Sequence, residues 1–330
     1  MNATMKLMAA SLAILVGTAP LASVAADKWT GYTYSAVSST SAVKGMERAI
    51  EKVKTETGGQ LAIKLNLGKS LQIGSNDITQ AVGDGLVQFA ADGFFLGSVP
   101  IAGVLRLPML INSDKEWKMA VAAMEPYLKK GFEKQGVVYL GQYRYPQQVI
   151  FANFKMESLA DLKGKKIRVT SPEQGEFVKS FGGLPLNLPG TEVPTSLERG
   201  VVDGVITASA GGAKNWHEFL KFNYRFGINY FNSVIIANRS AFDALPAKSK
   251  SSLVQAIWTE CDRIDAEFQE DELKQMDIQK KAGMTIINAQ PSDSPLAIKK
   301  LEPYWSDWAK GKGPEYVEAL AAVRKAIGKN

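Results

Sequence analysis

Two residue types are nearly missing from this chain of 330 residues: it has one cysteine, Cys261, and one histidine, His217. A lone cysteine excludes an internal disulfide, so the fold must rest on its packed core. One His and one Cys leave no N/S ligand set for a transition metal, and neither a metal nor a cofactor is expected. His217, between Trp216 and Glu218, reads as structural. No segment is apolar for long enough to cross a bilayer as a permanent helix. The net charge of +6 is scattered among Asp and Glu, with no basic block interleaved with aromatics, which argues against nucleic acid as a partner. Catalytic signatures are absent as well: there is no G-x-S-x-G and no H-E-x-x-H. "LGKS" at 67–70 has the ending of a phosphate-binding loop, but Ile63, inside a strand, occupies the place of its first glycine.

What is present is an ordinary globular composition, 45% hydrophobic and 22% charged, over a length that suits two domains. The N-terminus is patterned for export. Lys6 precedes the apolar run Leu7–Val16, and Val24-Ala25-Ala26 offers small residues for cleavage before Asp27. A signal peptide over 1–26 and a mature periplasmic protein follow from this reading.

From Lys28 the pattern alternates strand and helix, which indicates an α/β fold with a largely parallel sheet. "KWTGYTYS" is a strand, followed by a helix whose Val43, Met46, Ile50 and Val53 share a face and which Gly58-Gly59 stops. "LAIKLNL" is a second strand, "NDITQAV" a short helix capped by Asn76, and "LVQFAAD" a third strand. Ser113 and Glu116 form a capping box for a helix running to about Lys130, and "GVVYLG" is the next strand. The pattern then restarts with strands "KKIRVT", "LPLNLP", "VVDGVITAS" and "FNSVIIAN" and helices "PEQGEFVKSFGG" and "TEVPTSLERG". After Leu245-Pro246 the longest helical pattern runs from Ala247 to Lys281, too long for one small domain.

The segment "KKIRVTSPEQ" places Arg168 at the carboxyl end of a strand, beside a helix start with Ser171 as N-cap and Pro172 at N1. Ligands of open α/β sheets lie at such strand ends. An Arg fork pairs bidentately with a carboxylate and keeps its charge on burial. From the residues alone, an ion pair of Arg168 with Asp161 or Glu173 is an equal reading.

The stretch "SLADLKGKKIRVTSPEQGEFVKSFGGLPLNLPGTEVPTSLERGVVDG", with "GQLAIKLNLGKSLQ" before it and "NRSAFDALP" after it, resembles the solute-binding proteins of tripartite ATP-independent periplasmic (TRAP) transporters, the DctP family. The resemblance covers nearly the whole mature chain. It implies a two-lobed periplasmic binding fold with hinge strands and a long spine helix across both lobes. The lobes would be 27–145 with 231–270, and 146–230 with 271–330. It also implies a monomer that clamps a small organic acid and hands it to membrane permease subunits, without spanning the membrane itself.

In the family this Arg holds the ligand carboxylate, which favours the ligand role for Arg168. Gln148 falls where sialic-acid-binding members carry a second Arg, so a sialic acid is in doubt; the nearby Arg144 is a candidate substitute. Thr207 matches a ligand-facing Asn of those members. Further candidates are Thr170, Asn232 on the strand returning to the first lobe, Tyr34 after the first strand, and Asp92, Phe94 and Phe95 after the third. Asp203 reads as a turn residue. With one assured Arg and many aromatics, the expected ligand is a monocarboxylate such as a keto, hydroxy or aromatic acid, with a dicarboxylate or sulfonate as the alternative. An exported α/β enzyme acting on an acid, and a sensory receptor of the same fold, are the competing functions.

Overall fold

A computed structural model describes residues 26–329. The signal-peptide reading lies, apart from Ala26, outside the described residues. β1 (Asp27–Thr33), α1 (Ser41–Glu56), β2 (Leu61–Asn66), α2 (Ile78–Gly83) and β3 (Phe89–Asp92) open the chain. A pair of short 3-10 turns then leads to α3 (Asp114–Glu133) and β4 (Val137–Ala152). The second stretch holds β5 (Lys166–Val169), α4 (Pro172–Ser180), β6 (Leu184–Asn187), α5 (Val193–Glu198), β7 (Gly204–Thr207) and α6 (Ala213–Trp216). β8 (Phe222–Asn238), α7 (Arg239–Ala244), α8 (Ala247–Lys281), β9 (Thr285–Asn288), α9 (Asp293–Lys312) and α10 (Pro314–Ile327) complete it.

Local chemistry accounts for most of these boundaries. Thr40 caps α1 by accepting from the Val43 N–H, and Gly58 and Gly59, at φ 61° and 81°, end the segment in the left-handed region that glycine enters freely. Ser113 accepts from Glu116 N–H at the start of α3, and Ser171 from Gln174 N–H at the start of α4. The expected Asn76 cap of α2 is not used. The N-cap is Asp77, without a side-chain bond, and the buried carboxylate of Asp92 instead accepts from the N–H of Thr79 in the first turn. A buried carboxylate aimed at the first turn satisfies that helix end better than a solvated amide.

The strands form one sheet in the order β2-β1-β3-β8-β4-β7-β5-β6, with β9 also on β8. β4 and β8 are 16 and 17 residues long, far longer than their apolar cores "GVVYLG" and "FNSVIIAN" indicated. They pair antiparallel along their length, with register shifts at Tyr139/Gly141, Arg144/Gln147 and Gln148/Ile150. The C-terminal end of β8 pairs with β3, whereas the C-terminal end of β4 pairs with β7. Each parallel group, β2-β1-β3 and β7-β5-β6, is therefore attached to the same two crossing strands.

α8 spans both groups, as its length implied. Its N-terminal part packs on α1 and β4, where Leu253, Ile257, Ile264 and Phe268 are buried and Arg48 of α1 is paired with Glu260 and Glu267. Its C-terminal part holds the turn after β7. Glu272 accepts from Ala210 N–H and pairs with Arg225, while Gln279 donates to the Ser209 carbonyl. α10 packs on α3, and α9 joins it to α4.

Ile264 is fully buried, and a Cβ on Gly45 of α1 would lie 2.3 Å from it, so the two helices meet at van der Waals contact there. Ile264→Ala should cost about 2–5 kcal/mol of stability through the cavity it leaves. Urea unfolding should show a lower midpoint with an unchanged slope.

Candidate functional site

A cavity of ≈ 330 Å³ lies where β1, β3, β5 and β7 end, against the middles of β4 and β8. Six of the ten candidates converge on it: Tyr34, Phe94, Gln148, Arg168, Thr170 and Thr207. Tyr34 and Phe94 come from one parallel group, Arg168, Thr170 and Thr207 from the other, and Gln148 from β4 between them.

Arg168 is 2% exposed. Its Nε donates to the carbonyl of Leu188 at 3.0 Å, and its guanidinium lies 5.4 Å from the ring centroid of Trp216. Among the described residues no carboxylate pairs with it. Glu173 accepts instead from Trp308 Nε1, and Asp161 caps the turn at Ser158, so neither is the ion-pair partner the sequence left open. Burial alone pushes the Arg168 pKa down to about 10, which leaves it charged at neutral pH. Taking an ion from water costs several kcal/mol, and a cation–π contact returns only about 0.5–2 kcal/mol. An anion in the cavity would close that deficit.

The wall facing Arg168 is aromatic. Tyr34, Phe94 and Phe231 meet edge to face at centroid distances of 5.6–6.4 Å, and Tyr145 stands 5.5 Å from Phe231. Tyr34 Oη lies 3.0 Å from Tyr145 Oη and 2.8 Å from Ser233 Oγ, and burial raises its pKa, so it is a neutral hydroxyl. Gly93 makes this cluster possible: a Cβ there would lie 2.8 Å from Phe231 and 3.0 Å from Tyr34. Gly212 does the same for Trp216, whose ring lies 2.1 Å from where a Cβ would sit. Polar contacts are supplied between the rings. Thr170 Oγ1 donates to Gln174 Oε1, Thr207 Oγ1 accepts from Gly212 N–H, and Gln148 Nε2 donates to the Pro146 carbonyl. Lys69, exposed and at φ 70°, stands at the rim.

Asn232 and Asp92 do not reach the cavity. Successive strand residues face opposite ways, so it is Phe231 that lines the cavity while Asn232 turns to the buried Arg106. Asn232 Oδ1 accepts from Arg106 Nε at 2.9 Å, its carbonyl from Nη2 at 2.6 Å, and its Nδ2 donates to Gln142. Asp92 accepts from Thr79 and from Phe94 N–H, and burial pushes its pKa up to about 6. Phe95 is buried against Phe132. Arg144 is no substitute for a second cavity cation: it pairs with Asp114 and Asp265 and lies over the Tyr230 ring. Asp203 accepts from Lys166 N–H, in keeping with a turn role. Arg106, Trp216 and Phe231 were not among the expected residues. An Arg inside the apolar run "IAGVLRLPML" was the available signal for the first.

The profile of the DctP family, bacterial extracellular solute-binding protein family 7, matches residues 32–311. The chain belongs to that family. Its members are solute receptors, not enzymes. Among relatives, the ectoine-binding periplasmic protein TeaA of Halomonas elongata is 27% identical over 192 residues, covering 55% of this chain and 55% of its own, so this chain matches only about half of that relative's length. UehA of Ruegeria pomeroyi, an ectoine/5-hydroxyectoine-binding periplasmic protein, is 27% identical over 75% of this chain and 73% of its own. Two solved structures share the fold. DctP7 of Bordetella pertussis, a receptor binding pyroglutamic acid, has a TM-score of 0.84 at 24% identity over 91% of this chain and 100% of its own. A TRAP periplasmic solute-binding protein of Desulfovibrio salexigens with bound orotic acid has a TM-score of 0.85 at 18% identity, over 92% of this chain and 99% of its own. The two-lobed architecture expected for the DctP family is thereby found. Among the described residues no helix is long and apolar enough to cross a membrane.

Asn232→Ala removes an acceptor from a buried guanidinium rather than a ligand contact. Stability should fall by about 1.5–3 kcal/mol, as for other hydrogen bonds to charged groups. Calorimetric affinity for an acid ligand, measured well below the unfolding midpoint, should stay within a few-fold of the parent.

Proposed function

We propose that this DctP-family receptor binds a small monocarboxylate, with Arg168 receiving the carboxyl group, and delivers it to the membrane permease subunits of a TRAP transporter. The observation that carries this reading is Arg168 itself: a guanidinium 2% exposed, at the cavity wall, with no carboxylate partner among the described residues. Trp216, Phe94 and Phe231 would cover the ligand's flat or apolar body. Thr170, Thr207 and the Gln148 amide would meet its hydroxyl, keto or N–H groups. The acids named for relatives, pyroglutamate and orotate, carry such groups on a ring. The lobes would be 27–145 with 231–270, and 146–230 with the remainder, hinged where β4 and β8 cross. An N-terminus patterned for export agrees with the same reading.

Arg168→Ala should weaken binding by roughly thirtyfold to several thousandfold, since truncating one partner of a buried charge pair costs about 2–5 kcal/mol. Arg168→Lys should also bind poorly, because an ammonium cannot reproduce the fork. Calorimetry with a panel of keto, hydroxy and aromatic acids tests this. An Ala variant within threefold of the parent would remove the ligand role.

A second reading, a diacid, is favoured by one observation: Lys69 lines the rim and has no ion-pair partner among the described residues. Gln148 favours the monoacid, because a neutral amide cannot neutralise a second carboxylate. Competition titrations with matched acids should show the monoacid preferred and Gln148→Arg shifting preference toward the diacid. A diacid winning on the parent, and losing that advantage in Lys69→Ala, would establish the second reading.

A further inference from the structure

A chain of buried hydrogen bonds behind the cavity decides which of its polar groups can give a proton and which can only receive one. The two ends of the chain are unambiguous. The Thr170 N–H can only donate, and it donates to Gln174 Oε1 at 2.9 Å. The Arg106 carbonyl can only accept, and it accepts from Asn229 Nδ2 at 2.8 Å. Between them Gln174 Nε2 donates to Asn229 Oδ1 at 3.1 Å, so both buried amides are held in one orientation.

Gln174 Oε1 also lies 3.1 Å from Thr170 Oγ1. An amide oxygen carries no proton, so the Thr170 hydroxyl commits its own to that bond and offers the cavity only lone pairs. Gln148 is fixed in the same way. Its Nε2 donates to the Pro146 carbonyl at 2.9 Å, and its Oε1 has no partner among the described residues. That oxygen and the Nη atoms of Arg168 stay open to the cavity, whereas Arg106 Nη1 is sealed inside the protein. Thr207 has the reverse polarity: its Oγ1 accepts from Gly212 N–H at 3.0 Å and keeps its proton to give. Among the described residues the cavity lining contains no Asp or Glu.

We propose, resting on the carboxylate role of Arg168, that the ligand carries a neutral O–H or N–H donor beside its carboxyl group, and that Thr170 selects it. α-Hydroxy acids and lactam acids meet that description. Thr170 follows Arg168 by two residues, on the same face and about 7 Å further along the chain, so a carboxylate on the Arg168 fork brings its neighbouring group to Thr170. A keto acid has no proton for Thr170 or Gln148, and closing on it leaves those acceptors unpaired. An amino acid has the donor, but its ammonium would sit beside Arg168 with no carboxylate in the lining to neutralise it.

Titration calorimetry of the mature protein with matched acids tests this. Mandelate, phenylglyoxylate and phenylglycine share a skeleton and differ only in the α-group. Pyroglutamate is paired with the lactone acid that has a ring oxygen in place of its N–H. Mandelate and pyroglutamate should each bind about tenfold or more tightly than their partners, the effect of an unmade buried hydrogen bond. Thr170→Val, checked for folding by its thermal midpoint, should bring both ratios to within about threefold of unity by weakening the donor acids. Thr170→Ser should keep the parent's ratios. Partners of equal affinity, ratios that survive Thr170→Val, or an equal loss of every acid in that variant would overturn the donor rule. The Arg168 reading would still stand as long as Arg168→Ala abolishes binding. Acids that bind Arg168→Ala as well as the parent would remove that reading, whatever the ratios. Phenylglycine matching mandelate would refute the exclusion of amino acids, and the failure of all five acids to bind would sink both readings.

Discussion

The crossing of β4 and β8 is the constraint on which the rest of the structure depends. Among the described residues two long antiparallel strands are the only ladder joining the two parallel groups of the sheet, and their register slips at Arg144/Gln147 and Gln148/Ile150. A register slip leaves backbone groups unpaired and bends the strand, which is why the cavity opens at this point. Both parallel groups then direct their strand ends toward the same place. Gln148 and Phe231 face the cavity because they lie on the crossing itself; Tyr34 and Arg168 do so because they end strands on either side of it. α8 limits the freedom of this arrangement, since Glu260 and Glu267 bind α1 while Glu272 and Gln279 bind the turn after β7.

Much of this was legible in the sequence because it rests on local rules. The capped starts of α3 and α4, the glycine stop of α1 and the bounds of α8 all follow from residue type and spacing. The Arg168 placement was legible for the same reason: an alternating strand ends where a capped helix begins. The lengths of β4 and β8 were not. Both strands are buried on both faces where they cross, so alternation disappears, and Pro146 and Gly227 interrupt the apolar pattern. Period-two reasoning needs one wet face, and these strands have almost none.

The site shows the same division. Residues at strand ends, Tyr34, Phe94, Arg168 and Thr170, were readable from the strand and helix pattern, whereas Thr207 came from the family resemblance. Asn232 was one residue out of phase with the cavity: a polar side chain in the middle of a buried strand suggests a ligand contact unless its partner is known. That partner, Arg106, comes from 126 residues earlier in the chain, on a 3-10 turn that has no periodic signature. Trp216 depends on Gly212, which leaves room for its ring, and sequence spacing does not show that packing.

Arg106 and Arg168 show why burial alone does not identify a binding residue. Both are almost inaccessible, both lie near aromatic rings, and burial lowers the pKa of each to about 10. The difference lies in what surrounds the charge. Arg106 has three hydrogen bonds to fixed protein acceptors, with the Asp92 and Glu173 charges acting on it from nearby, so the protein itself meets most of its desolvation cost. Arg168 has one bond, through Nε, to a carbonyl, and burial is the sole influence on its pKa. A guanidinium oriented by a single backbone acceptor leaves the donors of its fork without a carboxylate among the described residues, which is the condition the proposed ligand role requires.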